Sequence, residues 1–286
     1  MKKDQLIPGR RAVLRITACL GAALTCRLLT VEGPAKTPGR AAPASPPQAT
    51  GLKAAGPPKA LVPRNPSAYR LRPMTESAPA GFSRAALQVR KEPLLELPEL
   101  GRSIVLTFDD GPDPNYTPDI LRTLRKYDVR AMFFVCGEMA DVNGDLMREM
   151  ADDGHIICNH TWSHPELPLL PPSRMRTQLA RTSDVIEKTV GTPPLWYRAP
   201  YGAWNKKLFE IGAKLDMEPL AWTVDSLDWT NPGTNRIVSG ILDGAGPGVV
   251  VLSHDAGGNR SQSVEALREY LPSLLDEGYR IAVPYR

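Results

Sequence analysis

Two histidines four residues apart, His160 and His164, are the side chains in this sequence best suited to binding a metal ion together. If the segment turns helically, both imidazoles lie on one side and a single ion can reach both. Histidines at this spacing, taken alone, more often have a structural role than a metal-binding one. The Asp-Asp-Gly-Pro segment at 109–112, taken alone, is typical of a turn. Together they offer two imidazoles and a carboxylate, which predict a three-ligand metal site with open positions for water.

The charged residues that could do chemistry share one position, because each follows a predicted strand. They are Asp109 and Asp110 after the first strand, His160 and His164 after the third, Arg198 after the fourth, Asp225 and Asp228 after the fifth, and His254 after the sixth. In parallel α/β folds the carboxyl ends of the strands face one way, and active sites form there. We therefore expect five segments of the chain to converge on one mouth.

Short apolar runs predict the strands that hold these residues, and helical apolar patterns lie between the runs. The predicted strands cover 103–108, 131–136, 156–158, 195–197, 219–224, 249–252 and 279–283, with helix N-caps at Thr117, Ser173, Asn205 and Thr234. Such alternation predicts an α/β fold with a parallel sheet covered by helices, either open or closed into a barrel. The glycine-rich signature of a dinucleotide-binding fold does not follow the first strand.

Three further titratable residues have structural interpretations. His155 precedes the third strand, at the end of the sheet away from the mouth, and is expected to be structural. Cys136 and Cys158 each lie in a predicted buried strand and are expected to be reduced core thiols rather than a disulfide.

The five tryptophans all lie between positions 162 and 229. Trp162 and Trp229 stand next to the candidate site residues, where aromatic faces would suit sugar rings. Trp196 and Trp222 are expected to pack in the core.

The charge of the chain is divided unevenly. Residues 1–101 hold 16 Lys+Arg and 6 Asp+Glu, whereas residues 102–286 hold 19 and 25. This asymmetry predicts a basic tail joined to an acidic domain, which is expected to be a monomer. An acidic domain argues against nucleic acid as a partner. The basic tail is interpreted as a solvated linker, with contact to an anionic cell wall or membrane surface as the alternative.

The N-terminal segment predicts export. Residues 1–32 combine basic residues with an apolar stretch at 16–26, and Gly-Arg-Arg-Ala-Val-Leu-Arg at 9–15 resembles a twin-arginine signal. The alternative is a disordered basic tail on a cytoplasmic protein. No uncharged apolar stretch is long enough for a membrane span. Residues 33–67 are predicted to be a disordered Pro/Ala-rich linker, 68–101 an extension of uncertain order, and 102–286 the catalytic domain of a secreted or cell-envelope protein.

Five short motifs, in order along 102–286, resemble those of the polysaccharide deacetylases, carbohydrate esterase family 4, also called the NodB homology domain. They are Thr-Phe-Asp-Asp-Gly-Pro at 107–112, His-Thr-Trp-Ser-His at 160–164, Arg-Ala-Pro-Tyr-Gly at 198–202, Asp-Ser-Leu-Asp-Trp at 225–229 and Leu-Ser-His at 252–254. Each motif alone is weak, but the ordered set is highly specific. Residues 1–101 match nothing diagnostic.

The resemblance implies a distorted (β/α)7 barrel, similar to a TIM barrel, that removes N-acetyl groups from GlcNAc-containing polysaccharide such as peptidoglycan or chitin oligomers. It implies a divalent metal, commonly Zn2+ with Co2+, Mn2+ or Ni2+ as substitutes, which Asp110, His160 and His164 would bind. It also implies Asp109 as the general base, oriented by Arg198, and His254 as the general acid, tuned by Asp228. The backbone N–H of Tyr201 would donate to the oxyanion, and Trp229 and Leu252 would surround the acetate methyl group.

Three other functions are alternatives to this one. A catalytically silent carbohydrate-binding domain would release no acetate when metal is added. A non-haem iron oxygenase with two histidines and one carboxylate would depend on oxygen, and by fold analogy it would have an all-β jelly roll. An esterase that removes O-acetyl groups from xylan fits the same residues, because sugar identity is read by loops.

Overall fold

The computed structural model describes residues 87–284, so the predicted export signal, the linker and most of the 68–101 extension lie outside the described residues. Eight strands and seven α-helices occur in the described part. The strands are β1 Ser103–Asp109, β2 Met132–Val135, β3 Ile156–Asn159, β4 Trp196–Tyr197, β5 Glu218–Pro219, β6 Val224–Asp225, β7 Val250–His254 and β8 Arg280–Ile281. The helices are α1 Thr117–Lys126, α2 Gly137–Val142, α3 Gly144–Asp152, α4 Pro172–Val190, α5 Lys206–Lys214, α6 Thr234–Asp243 and α7 Ser261–Asp276.

The strands pair in parallel in the order β5-β4-β3-β2-β1-β7-β6, and β8 pairs with the beginning of β1. The sheet is curled, which confirms the distorted barrel. Strand β1 is an interior strand between β2 and β7 and is buried along its whole length, so both of its faces are covered. Its register pairs Asp109 with His254 of β7, which brings two candidate site residues side by side at the carboxyl end.

The strand predicted over 219–224 is two strands, β5 and β6, at opposite edges of the sheet. The intervening residues cross the gap between them. Ala221 donates its N–H to the Leu94 carbonyl at 2.7 Å, and Thr223 donates to that of Val250 at 3.0 Å. The continuous apolar run predicts a single strand. The strand is interrupted because these two N–H groups donate to different segments, Ala221 to the one before β1 and Thr223 to β7.

An N-terminal strap, residues 90–100, packs against the sheet near this gap. The Leu94 N–H donates to the Pro219 carbonyl at 2.9 Å, and the Leu97 N–H donates to that of Gly248 at 2.8 Å. Leu97 is 1% exposed and belongs to a core cluster. The domain boundary at residue 102 stays a prediction. The strap, which precedes this boundary, packs against residues of the predicted domain.

Shortening the chain to residue 102 should destabilise the protein, whereas a chain that starts at residue 87 should retain its stability. The shortened chain loses the burial of the Leu97 side chain, worth about 1.5–3 kcal/mol. It also loses the three backbone hydrogen bonds of Leu94 and Leu97 to Pro219, Ala221 and Gly248, at about 1 kcal/mol each. Urea denaturation of the two proteins measures the difference. Equal free energies of unfolding would show that the strap contributes nothing.

The predicted helix caps have mixed outcomes. The Asn205 side chain accepts from the Leu208 N–H at 2.8 Å, which confirms it as the N-cap of α5. Thr117, Ser173 and Thr234 are not caps, because α1 and α6 begin at the threonines themselves and α4 begins before Ser173. Helix α2 was not predicted.

The two cysteines of the described part are free and buried, which confirms reduced thiols. Cys158 lies in β3, whereas Cys136 follows β2 directly and precedes α2. Within residues 87–284, no helix is both long and apolar enough to cross a membrane.

Candidate active site

A cleft of about 750 Å³ opens at the carboxyl ends of the strands, and the predicted site residues gather in it. Its lining includes Asp109, Asp110, His160, His164, Tyr201, Asp225, Trp229, Leu252 and His254. The other two predicted residues, Arg198 and Asp228, are buried behind the lining and contact Asp109 and His254 respectively. The convergence expected from the strand ends is therefore present.

Asp110, His160 and His164 present one ligand atom each, and the three atoms lie within 4.8 Å of one another. The Oδ1 atom of Asp110 is 3.5 Å from Nε2 of His160 and 3.4 Å from Nε2 of His164. This oxygen is buried and has no hydrogen-bond partner. A buried carboxylate oxygen without a donor is costly unless a cation completes it, so the donor set fits a divalent metal.

The segment from His160 to His164 is not helical, which corrects the predicted helical turn. Thr161 and His164 have positive φ values of 73° and 55°. Side chains hold this shape: the Asn159 Oδ1 atom accepts from the Thr161 N–H at 2.9 Å, and the Gln178 Oε1 atom accepts from the Trp162 N–H at 2.8 Å. The two imidazoles meet through this loop rather than through helical spacing.

The ring orientation of His160 leaves Nε2 free for a metal. Its Nδ1 atom lies 2.9 Å from the Arg198 carbonyl oxygen, which can only accept, so Nδ1 carries the proton. Burial lowers the pKa of His160 to about 3. The ring therefore stays neutral near pH 7, and its unprotonated Nε2 lies 3.5 Å from Asp110 Oδ1.

The Asp109 carboxylate is fixed by Arg198, whose side chain is fully buried. Arg198 donates through one terminal nitrogen to Asp109 Oδ1 at 2.6 Å and to Thr107 Oγ1 at 2.8 Å. Burial raises the pKa of Asp109, and Arg198 opposes this by favouring the charged form. Burial outweighs Arg198, so the pKa of Asp109 is raised overall.

His254 and Asp228 form a closely hydrogen-bonded pair. His254 Nδ1 is 2.7 Å from Asp228 Oδ1, and the His254 N–H donates to Asp228 Oδ2 at 2.9 Å. Ser263 donates its hydroxyl to the same Oδ2 at 2.6 Å. Burial lowers the pKa of His254, but the hydrogen bond and charge of Asp228 outweigh burial and raise it to about 9. The imidazole is therefore protonated near neutral pH.

The tryptophan predictions are partly wrong. Trp222 packs against the core, as expected, but it also lines the cleft. Trp162 packs under the guanidinium of Arg181, 3.4 Å from its ring centroid, and is not part of the cleft lining. Trp229 lines the cleft and is 54% exposed, and Trp196 is buried in the core.

His155 lies at the other end of the sheet. Its Nδ1 atom accepts from the Ala131 N–H at 3.2 Å, and its ring packs against Phe133. Burial lowers its pKa to about 4, so it is neutral near pH 7. These contacts are structural, as predicted.

Sequence reasoning missed two residues that contact the candidate site. Asp255 is 1% exposed and accepts from the Gly111 N–H, and burial raises its pKa to about 7. Arg260 is 3% exposed and lines the cleft. Asp255 directly follows His254, and an acidic residue after a buried apolar strand was a signal that could have found it.

Comparisons with known proteins decide the family. A model described as polysaccharide deacetylase matches residues 98–220. A chitooligosaccharide deacetylase from Bradyrhizobium sp. (strain ANU 289) is 37% identical over 192 residues, which cover 63% of this chain and 88% of that protein. The chain belongs to the polysaccharide deacetylase family. The match covers most of the Bradyrhizobium protein, so the similarity of this polysaccharide deacetylase to its relative extends well beyond isolated motifs.

Solved structures of polysaccharide deacetylases have the same fold. A crystal structure of a peptidoglycan N-acetylglucosamine deacetylase has a TM-score of 0.64 and 33% identity, and the match covers 66% of this chain and 89% of that one. A carbohydrate esterase family 4 pseudoenzyme from Bacillus anthracis has a TM-score of 0.63 and 28% identity, covering 68% and 67%. Because a pseudoenzyme matches almost as well, activity must be argued from the site residues.

Proposed function

We propose that this protein is a metal-dependent hydrolase that removes N-acetyl groups from GlcNAc-containing polysaccharide, either peptidoglycan or chitin oligomers. The observation that carries the proposal is the arrangement within one cleft of an acidic ligand whose Oδ1 has no hydrogen-bond partner, two imidazoles beside it, a buried carboxylate and a protonated imidazole. A silent binding domain would need none of the proton-transfer groups. The relatives named as deacetylases support the same reaction.

Asp110, His160 and His164 would hold the metal, and zinc suits one carboxylate with two imidazoles. Co2+, Mn2+ or Ni2+ would suit the same donors. When bound, the ion supplies Lewis acidity, which polarises the acetyl carbonyl and lowers the pKa of water. The protein contributes the orientation: the Arg198 carbonyl fixes the His160 ring.

Asp109 is the proposed general base. Its carboxylate is buried beside the ligand cluster, with Oδ2 3.6 Å from Nε2 of His160. A raised pKa makes the carboxylate a stronger base than an exposed aspartate. Arg198 holds Oδ1, which leaves Oδ2 on the cluster side to accept a proton from water.

His254 is the proposed general acid. An amide nitrogen leaves readily only when it is protonated, so a proton donor is needed for the second half of the reaction. The Asp228 contact places the proton-bearing Nδ1 away from the cleft and leaves Nε2 as the atom that gives the proton to the leaving amine. The raised pKa keeps the donor loaded at neutral pH.

Tyr201, Trp229 and Leu252 are the proposed substrate contacts. Tyr201 lies in a turn with φ 60° and is proposed to offer its N–H to the oxyanion. Trp229 and the buried Leu252 both line the cleft and are proposed to surround the acetyl methyl group. Exposed aromatic rings at Tyr201 and Trp229 also suit stacking on sugar faces.

The Asp228→Asn variant should lose activity at alkaline pH. His254 must be protonated to act as an acid, and its pKa of about 9 depends on the carboxylate of Asp228. Without that charge the pKa falls, so the alkaline limb of kcat/KM should move to lower pH by about one unit or more. The pH profile of acetate release measures the shift.

The matched control for this shift is Ser263→Ala. This variant removes the hydroxyl hydrogen bond to Asp228 but keeps the carboxylate charge beside His254. Its alkaline limb should stay close to that of the unmodified protein. An unmoved limb in Asp228→Asn would remove His254 from the role of general acid.

Acetate release across three substrates tests the proposed function. Metal-free protein is reloaded with Zn2+ and incubated with chitin oligomers, peptidoglycan and acetyl-xylan. We expect metal-dependent release from one or both N-acetylated glycans. Release from acetyl-xylan alone would establish the O-acetyl esterase instead, and no release from any substrate would favour the silent binding domain.

We further propose that the protein acts outside the cytoplasm, secreted or in the cell envelope. The support is the basic and apolar pattern of residues 1–32 in the sequence. A fusion of residues 1–67 to a reporter that functions only after export tests this. A reporter that stays in the cytoplasm would contradict the proposal.

A further inference from the structure

Asp255 lies directly behind the turn that carries the proposed base and one proposed metal ligand, here called the ligand turn, residues 109–111. Its Oδ1 atom accepts from the Gly111 N–H at 3.1 Å. Its own N–H donates to the Asp109 carbonyl at 3.1 Å. The residue thus holds the ligand turn on both sides of Asp110, once by its backbone and once by its side chain.

The second carboxylate oxygen of Asp255 joins the turn to α1. Oδ2 accepts from the Thr117 hydroxyl at 2.5 Å, and the same hydroxyl oxygen accepts from the Asp113 N–H at 2.8 Å. This pairing explains why Thr117 does not cap its helix with its side chain. The hydroxyl is used between Asp255 and the chain that leaves the ligand turn.

The Asp255 carboxylate packs directly against the backbone of the ligand turn. A Cβ atom on Gly111 would overlap the Asp255 carboxylate, so only glycine leaves room for it. A Cβ atom on Gly257 would overlap the Asp110 carboxylate, so the loop after β7 also lies directly against the ligand. Arg260 fixes that loop by donating to the carbonyls of Ala256 at 2.6 Å and Gly257 at 2.8 Å.

We propose that Asp255 is a positioning residue that fixes the ligand turn, so that the Asp110 carboxylate faces His160 and His164 before the metal arrives. This inference rests on the proposed metal-dependent function. Asp110 Oδ1 has no hydrogen bond of its own, so its place depends on the backbone that carries it. The bonds from Asp255 to that backbone supply the constraint. Groups that orient metal ligands commonly contribute about 10–100-fold to metal affinity.

The test is the Zn2+ affinity of the metal-free full chain, measured by competition with a chromogenic chelator. Asp255→Ala removes both side-chain contacts and should weaken Zn2+ binding about 10–100-fold. Thr117→Val removes the bond to Oδ2 together with the acceptor of the Asp113 N–H but keeps the Gly111 contact, so it should weaken Zn2+ binding less. Thr117→Ser keeps the hydroxyl and should retain the affinity of the unmodified protein. If Asp255→Ala does not fold, the two Thr117 variants decide.

Thr123→Val is the matched control. Thr123 is a buried threonine in the same helix, and its hydroxyl donates only to the Asp119 carbonyl, within the helix. Its Zn2+ affinity should equal that of the unmodified protein. The melting temperature of each metal-free variant is recorded alongside, because a structural role would lower it without changing the affinity.

The outcomes separate the two proposals. Unchanged Zn2+ affinity in both Asp255→Ala and Thr117→Val, with only a lower melting temperature, overturns the positioning role and leaves the proposed function intact. An unmodified protein that binds no Zn2+ overturns the metal site and this inference with it. Weakened affinity in the two variants, with the affinity retained in Thr117→Ser, supports the positioning role.

Discussion

Asp109→Asn should lower the rate of acetate release about a hundredfold or more, the usual scale for general-base catalysis, while Zn2+ still binds. An asparagine can keep its Oδ1 as acceptor for Arg198, which now donates to Asp109 at 2.6 Å, so the fold of the site is retained. Only the ability to take a proton is lost. Metal content by mass spectrometry and kcat on a soluble chitin oligomer give the two readouts.

Asp110→Asn is the paired variant, since the two carboxylates are neighbours with different proposed roles. It replaces a charged ligand with a neutral one, so Zn2+ affinity should fall and excess Zn2+ should partly restore turnover. Titration of both variants with Zn2+ separates the roles. If added Zn2+ rescues Asp109→Asn but not Asp110→Asn, the base and the ligand have been assigned the wrong way round.

His160→Ala and His164→Ala should each lose metal and activity together. Each variant removes one of three proposed protein ligands, so the loss of Zn2+ affinity should exceed the roughly 100-fold upper range for groups that only orient ligands. Metal content after dialysis and acetate release are measured on the same samples. Full metal occupancy in both variants would refute the assignment.

His155→Gln is the control for the histidine variants. His155 is buried at the far end of the sheet and accepts a hydrogen bond from the Ala131 N–H. Its loss should lower thermal stability but leave the metal content unchanged. The comparison distinguishes loss of a ligand from general damage by a buried histidine replacement.

The sequence predicted the strands and the gathering of the polar residues well, because both depend on short-range patterns. Buried strands such as β1 and β7 read as apolar runs, and a charged residue after each run marks the carboxyl end. In a parallel sheet, that position alone predicts which side chains meet. The placement of Asp109 beside His254 follows directly from the register.

The parts that were missed depend on contacts between distant segments. The shape of the His160–His164 loop is set by the Gln178 side chain from α4, which no local pattern reveals. Asp255 has no motif of its own, and its partner Thr117 is 138 positions away. Trp222 lines the cleft although it is far from the ligands in the sequence, whereas Trp162, which lies between two of them, packs against Arg181 instead. Tertiary packing decides this difference, and distance along the sequence does not reveal it.

The strap has a consequence for how this protein can be held on a surface. Arg90 pairs with Glu218, and Leu97 bonds to Gly248, so the strap lies at the amino ends of β5 and β7. His254 is at the carboxyl end of β7, where the cleft opens. A bead or carrier attached close to residue 90 would therefore sit behind the sheet, and the mouth would remain open to a long, insoluble glycan chain.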